Sequence, residues 1–266
     1  MVEASTATIE EALGRTEQDA DAGLKAATAV SAALKRARAA ARDGNLRDLP
    51  ATLAAAEQAV RALHEQVVRA RAGWDFDDED YFASGGYLRE LLETAQQMGV
   101  AIHERDERLY CYPSLVRVLP SDRAVQIDKA RERRVRPSVV VAHLRDRQRR
   151  PPQFRPEAFL QSLFQAYETL ASAQSGRAKG ARPVIRLREI YRLLTLLPGQ
   201  RREYAEQEFA RDLYLLDQSG EMETSRGDVL SFEASTGTKS DANVLTVVTQ
   251  SGHEKKYYGI TFTRDG

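Results

Sequence analysis

The sequence predicts a mostly helical α+β protein, and three observations lead to that fold class. Apolar residues recur every three or four positions across residues 1–74, which indicates an antiparallel hairpin of two long helices. Short β-branched and aromatic runs lie between residues 75 and 155, which predicts a connector with a small antiparallel sheet. Residues 156–266 contain three helical patterns followed by strands. We therefore expect three domains with these boundaries.

Length and composition exclude several classes of protein. A chain of 266 residues with 42% hydrophobic and 29% charged residues is typical of a folded, soluble protein. Its single cysteine, Cys111, excludes a disulfide framework. No apolar run approaches the roughly 20 residues of a membrane span, and the first residues lack the pattern of a signal peptide. We expect a cytoplasmic protein that contacts no membrane.

The helical hairpin is defined by its stop signals and its apolar stripe. The first helix is expected over residues 6–43, with Thr6 or Thr8 as its cap and Gly44 after its end. The second helix restarts near Pro50, and its stripe has the alternating three-four spacing of a helix-helix seam. The stripe consists of Leu53, Ala56, Val60, Leu63, Val67, Ala70 and Trp74. Such a hairpin either packs in an ordinary bundle or serves assembly, so we expect a protein partner or self-association through it.

The neutral total charge hides a strong segregation along the chain. Residues 129–202 carry 18 basic and 5 acidic side chains, whereas residues 1–128 carry 15 basic and 22 acidic ones. Phosphate is the common partner of such a basic segment, so we predict contact with DNA or another polyanion. An acidic partner protein, or the acidic run at residues 75–80, is the alternative. The basic side chains predicted to bind phosphates are Lys129, Arg131, Arg133, Arg134, Arg136, Arg145, Arg147, Arg149, Arg150, Arg186, Arg188 and Arg192.

The C-terminal elements carry a resemblance to a known fold. Helices are expected over residues 156–173, 187–197 and 204–216, and strands follow, with a hairpin turn at residues 250–253. Three helices followed by a β-hairpin resemble the winged-helix fold, and the resemblance covers residues 156–266. It implies that the third helix enters the major groove.

The third helix departs from that expectation, because it is acidic and phosphates would repel it. Its carboxylates are Glu203, Glu206, Glu208, Asp212 and Asp217. We expect these to hold protein partners and DNA to meet another face. Basic residues lie instead on the second helix and its flanks, namely Arg186, Arg188, Arg192, Arg201 and Arg202. Winged-helix domains of chromosome-organising complexes are used in this way.

No catalytic motif of high specificity is present. The chain lacks a phosphate-binding loop, a His-Glu-x-x-His zinc motif and a Gly-x-Ser-x-Gly nucleophile elbow. The best candidates are Asp241, Glu254 and Lys256, whose order is similar to the Asp…Glu-x-Lys pattern of metal-dependent nucleases. Glu254 directly follows a Ser-Gly turn, where a solvated hairpin end is the simpler interpretation. We therefore predict no catalytic residue, no bound metal and no cofactor.

These observations favour one function and leave two others open. The leading hypothesis is a non-enzymatic, nucleic-acid-associated subunit of a multi-protein bacterial complex for DNA maintenance or for defence against foreign DNA. Its central arginines would contact phosphates. The alternative is a protein-protein adaptor that does not bind DNA, and the third hypothesis is a metal-dependent nuclease.

Overall fold

The computed structural model describes residues 8–174, 182–233 and 243–264. The chain forms two compact units, and each unit is built from several separate segments that alternate along the sequence. Of the described residues, the first unit contains those up to Met98 together with Val118–Gln126 and Arg131–His143. The second unit contains Gly99–Arg117, Ile127–Ala130 and the described residues from Leu144 onward. The α+β, mostly helical fold class predicted from the sequence is confirmed.

The first unit begins with the predicted antiparallel helical hairpin. Helix α1 spans Ile9–Arg42 and helix α2 spans Leu49–Ala72. The cap of α1 is Thr8, whose hydroxyl accepts a hydrogen bond from the Glu11 backbone N–H. The Glu11 carboxylate in turn accepts one from the Thr8 N–H. This reciprocal capping box satisfies two backbone donors and fixes the start of the helix.

Three residues of the predicted stripe, Ala56, Leu63 and Ala70, lie in the seam between α1 and α2, and small residues form most of the rest of it. The covered positions of α2 are Thr52, Ala56, Ala59, Leu63, Gln66 and Ala70, and they face a row on α1 that includes Gly23, Ala26, Ala33 and Ala37. Leu53, Val60, Val67 and Trp74, which the sequence placed in the seam, are exposed. The prediction was wrong at these four positions because alanine and glycine let two helix backbones approach closely, which leaves the larger side chains at the edge.

Two further helices follow the hairpin in the first unit. Helix α3 spans Asp78–Ala83 and helix α4 spans Gly86–Gln97. The side chain of Glu90 on α4 is buried and accepts hydrogen bonds from the backbone N–H groups of Ile9 and Glu10, at 3.0 and 2.9 Å. The Tyr81 hydroxyl donates a third bond of 2.6 Å to the same carboxylate. A negative charge at the N-terminus of α1 also complements the helix dipole.

A five-stranded sheet follows, in the order β1-β2-β3-β4-β5. Its strands are β1 His103–Arg105, β2 Arg108–Cys111, β3 Ser114–Leu119, β4 Ala124–Ile127 and β5 Ala130–Glu132. A single 3-10 turn at Pro120–Asp122 connects β3 to β4. Helix α5, Pro137–Gln148, starts at a proline, which is well tolerated in the first turn of a helix.

The second unit contains the remaining elements. Its helices are α6 Pro156–Gln174, α7 Leu187–Leu194, α8 Gln200–Glu203 and α9 Glu206–Ser219. Its strands are β6 Ile185–Arg186, β7 Asp228–Glu233, β8 Leu245–Val248, β9 Glu254–Tyr257 and β10 Gly259–Arg264. Strands β6 and β7 both pair antiparallel with β10, and β8 and β9 form the predicted hairpin. Aromatic and aliphatic side chains of α6, α7, α9 and the sheet fill the core, where the Phe164 and Phe262 rings meet edge to face at 5.0 Å.

The acidic helix α9 is a core helix, and its carboxylates are engaged within the second unit. Glu206 pairs with Arg188, and Asp212 pairs with Arg211. Asp217 binds Lys255 and accepts a hydrogen bond of 2.8 Å from the Tyr257 hydroxyl. Each of these three carboxylates therefore neutralises a cation or completes a polar contact within the unit. That the acidic helix also holds a protein partner stays a prediction. No helix in the described part of the chain is long and apolar enough to cross a membrane.

Candidate nucleic-acid interface

Three of the four predicted phosphate ligands in residues 131–136 are ion-paired within the first unit. Arg131 lies 3.1 Å from Asp122, and Arg134 lies 2.6 Å from Glu132. The Arg134 hydrogen bonds lower the pKa of Glu132 to about 2, so this pair stays ionised at neutral pH. Arg136 bridges Glu10 and Glu17 of α1. Arg133 is exposed and forms no ion pair with another described residue.

Glu10 joins Arg136 to the start of helix α5. It accepts hydrogen bonds from Arg136 Nε, from the Ser138 backbone N–H and from the Ser138 hydroxyl, at 2.6, 3.0 and 2.8 Å. Burial alone would raise the pKa of Glu10, but these donors together bring the pKa below its ordinary value. The carboxylate is therefore ionised and bound in the folded protein at neutral pH.

The replacement Glu10→Gln is expected to reduce the decrease in the free energy of unfolding between neutral and acidic pH. Because the folded state lowers the pKa of Glu10, ionised Glu10 stabilises the fold above its unfolded pKa, and this contribution disappears as pH falls through the folded value. Urea midpoints followed by the fluorescence of Trp74, the single tryptophan, measure the effect between neutral and acidic pH. Wild type and variant should differ at neutral pH and converge in acid. Parallel pH profiles would contradict this role.

Arg147 has a structural role in the second unit. Its Nη1 lies 2.6 Å from Asp128 Oδ2 and 3.1 Å from the Ser114 hydroxyl. The same carboxylate accepts Arg211 Nη1 at 3.0 Å and the Leu115 backbone N–H at 3.1 Å. Asp128 therefore ties two arginines to the backbone of strand β3.

Four more predicted phosphate ligands from residues 129–150 belong to the second unit. Lys129, Arg149 and Arg150 are exposed, and Arg145 is half-buried. Among the described residues, none of these four has an acidic ion-pair partner. Arg149 and Arg150 follow the last turn of α5, where positive charge also complements the helix dipole.

Arginines of α7 and α8 line a concave pocket in the second unit. The pocket has a volume of about 280 Å³, and its lining residues are Arg188, Tyr191, Arg192, Arg201 and Glu206. Arg188 and Arg192 are four residues apart on α7 and so share one face of that helix. Gly199 adopts a φ of 85°, which lets the chain reverse before α8 and brings Arg201 into the pocket. The Tyr191 hydroxyl donates a 2.8 Å hydrogen bond to the Tyr204 carbonyl and holds the end of α8 against α7.

The charge of this pocket is strongly positive. Three guanidinium groups face a single carboxylate, Glu206, which lies 2.8 Å from Arg188 Nη2. Arg192 and Arg201 are exposed and have no ion-pair partner within the described ranges. The Nε of Arg188 is buried without an acceptor among the described residues, which is uncommon for a polar atom. Planar arginine forks match the oxygens of phosphate, so the arrangement suits a phosphate group.

The sequence predicted part of this site and missed part of it. Arg188 and Arg192 belong to the predicted set, and the structure brings them together. Arg201 was noted as a basic flank but was not among the predicted ligands, because α8 was not predicted as an element. The glycine turn followed by two arginines was the available signal. Arg186 lies apart from the pocket lining, and its Nε donates to the Tyr258 hydroxyl at 3.2 Å.

The nuclease candidates do not form a recognisable metal site in the described residues. Glu254 opens β9 and is ion-paired with Arg105. Lys256 is two residues further along the same strand, opposite Thr246 of β8. Asp241 lies outside the described residues. Within the described ranges, no group of three or more His, Cys, Asp or Glu side chains is placed to hold a metal ion.

Cys111 is a core residue of the second unit. Its thiol is buried, and Gln148 Nε2 lies 3.2 Å from the sulfur. Burial raises the pKa of the Cys111 thiol to about 12, which keeps it protonated at neutral pH. A protonated, buried thiol is a poor nucleophile.

Comparison with known proteins found no match to a family model, to a curated protein or to a solved structure.

Proposed function

We propose that this protein is a non-enzymatic, nucleic-acid-associated protein whose second unit binds backbone phosphates through the arginines of α7 and α8. The observation that carries the proposal is the pocket in which Arg188, Arg192 and Arg201 face one carboxylate. Side chains that are ion-paired elsewhere must break a bond to meet a phosphate, whereas Arg192 and Arg201 need not. Phosphate contacts of this kind give affinity without base specificity.

The exposed basic side chains around the pocket extend the proposed contact. Arg202 on α8 is exposed, and Arg186 lies at the start of α7. The proposal also keeps Lys129, Arg145, Arg149 and Arg150 of the second unit as phosphate contacts, and Arg133 as a separate contact on the first unit. It reassigns Arg131, Arg134, Arg136 and Arg147 to stabilising the fold, because each is held by a carboxylate.

The order of elements in the second unit is compatible with the winged-helix resemblance. A helix, a short strand and further helices precede β7 and β10, and β6 and β7 flank β10 in the sheet. Because α9 is covered, the proposed contact uses α7 and α8 in place of the third helix. The wider role we propose is that of a subunit in a bacterial assembly for DNA maintenance or defence, since one chain combines a helical hairpin with a basic unit.

The double replacement Arg192→Glu with Arg201→Glu is expected to weaken binding to duplex DNA at least tenfold. Each change removes a phosphate contact and introduces repulsion, and a tenfold change corresponds to about 1.4 kcal/mol. Fluorescence anisotropy of a labelled duplex at low salt measures the dissociation constant.

The matched control is Arg117→Glu with Arg226→Glu, which makes the same charge change at two exposed positions of the second unit. This control should retain most of the affinity. Equal losses in both double variants would show that only total charge matters and would refute the assigned site. If wild type does not bind at low salt, the adaptor hypothesis replaces the proposal.

A further inference from the structure

One side of the helical hairpin carries large apolar side chains that no part of the described chain covers. Leu24 and Leu34 on α1 are 66% and 51% exposed, and Leu53, Val60 and Val67 on α2 are 53%, 48% and 57% exposed. Large aliphatic residues are rarely left in such numbers on one surface without a partner.

These five residues lie on the same side of the hairpin. Leu24 and Leu34 each follow a seam residue of α1, Gly23 and Ala33, and the three α2 residues follow Thr52, Ala59 and Gln66 in the same way. One residue further along a helix is a rotation of about 100°. In two antiparallel helices, that rotation turns both sets of side chains toward the same side. We call the five residues the apolar face.

The opposite side of the hairpin lacks large aliphatic residues. The positions that precede the seam residues of α2 are Ala51, Ala55, Gln58, Ala62, Glu65 and Arg69. On α1 the corresponding positions include Arg15, Gln18, Lys25 and Arg36. The hairpin is therefore amphipathic as a pair of helices, with the seam inside, the apolar face on one side and a polar face on the other.

We propose that the apolar face binds the apolar face of a second copy of this chain, so that two hairpins form an antiparallel four-helix dimer. Leu53, Val60 and Val67 repeat every seven residues, which is the spacing that a helical partner matches. A two-fold interface requires a patch that complements itself. A face of aliphatic side chains meets this requirement at its centre.

The charges at the two ends of the hairpin determine the antiparallel direction. Over both helices, the half toward the tip, residues 25–60, carries six basic and three acidic side chains, whereas the half toward the base, residues 9–24 and 61–72, carries six acidic and four basic ones. An antiparallel second copy places each basic tip beside an acidic base, twice by symmetry. A parallel copy would place like charges together, which is unfavourable.

The area of the apolar face is sufficient for a specific contact. A half-exposed Leu or Val has on the order of 80 Å² of apolar surface accessible to solvent. Glu57 and His64 follow the seam residues Ala56 and Leu63 and so lie between these residues on the same side. The five apolar residues and these two polar ones together give roughly 500 Å² per copy. The pair then buries about 1,000 Å², which is the lower range for a stable interface.

Sedimentation velocity of the full chain tests the proposal. Wild type should sediment as a species of twice the 29.7 kDa chain mass at about 10 μM or above. Leu53→Glu with Val60→Glu should sediment as a monomer there, since four charges would enter the interface. The matched control is Ala55→Glu with Ala62→Glu, on the same helix with the same spacing but on the polar face; it should remain dimeric. A monomeric wild type, or dimers of all three proteins, would overturn the proposal.

Disulfide cross-linking tests the direction of the pairing. Val60 lies near the middle of the apolar face, about 16 Å along α2 from its start at roughly 1.5 Å per residue. Leu46 lies in the tip of the hairpin and is exposed. The Val60→Cys variant should cross-link under oxidation, and Leu46→Cys should not. Efficient cross-linking through position 46 would show tip-to-tip pairing and overturn the antiparallel assignment. The native Cys111 is buried and does not compete.

Discussion

Replacing Asp128 with alanine is expected to lower the free energy of unfolding by about 3 kcal/mol. The carboxylate binds Arg147 and Arg211 and also accepts the Leu115 backbone N–H. Arg211 is largely covered, so its charge would lose one of its two carboxylate partners in a poorly solvated position. Urea denaturation followed by circular dichroism measures the loss.

The control for Asp128 is Asp146→Ala, which removes an exposed carboxylate from α5. Surface changes of this kind usually alter stability by less than about 0.5 kcal/mol. If the Asp128 variant were as stable as the control, the ion pair of Arg147 with Asp128 would not stabilise the fold. Arg147 would then return to the set of proposed phosphate ligands.

Replacing Glu90 with alanine is expected to destabilise the first unit by about 3 kcal/mol. The change leaves the Ile9 and Glu10 backbone N–H groups and the Tyr81 hydroxyl without their shared acceptor. Glu90 is 6% exposed, so water replaces the lost bonds only after local opening. Trp74 belongs to the first unit, and its fluorescence during urea denaturation follows this unfolding.

The control for Glu90 is Glu93→Ala on the same helix, because Glu93 is exposed. That variant should unfold at nearly the wild-type urea concentration. A Glu90 variant with the same midpoint as the Glu93 variant would show that the start of α1 does not depend on this carboxylate.

The hairpin shows how far periodicity alone can predict packing. The spacing of apolar residues predicted both helices, the short connection predicted their antiparallel arrangement, and both are present. The same spacing placed Ala56 correctly in the seam but also assigned Leu53, Val60 and Val67 to it, and these three are exposed. A heptad repeat fixes which residues align along a helix. It does not determine whether the small or the large row meets the partner helix.

The basic segment shows a different limit. Its arginines form a continuous cluster in sequence, and a count of charges treats Arg133 and Arg134 alike. In the structure Arg134 is bound by Glu132, while Arg133 forms no ion pair with a described residue. Carboxylates distant in sequence also decide the outcome, since Arg136 meets Glu10 from the first turn of α1. The pairing of Arg136 with Glu10 depends on tertiary structure and has no local sequence signal.

Short elements were the hardest to predict. Strand β6 has two residues, Ile185 and Arg186, and it was not predicted from the sequence. The second C-terminal helix ends at Leu194 rather than at Leu197, which is exposed. The four-residue helix α8 follows the Gly199 turn, and it is this helix that supplies Arg201 to the pocket. A two- or four-residue element is too short to show a period.

The most direct test of the proposed function is the salt dependence of duplex DNA binding by the unmodified protein, measured by fluorescence anisotropy. Contact with at least three phosphates predicts that the logarithm of the binding constant falls linearly with the logarithm of salt concentration, with a slope of about −3 or steeper. Binding with such a slope would support the proposed phosphate contacts. An absence of binding at about 50 mM salt, or binding that does not depend on salt, would contradict the proposal.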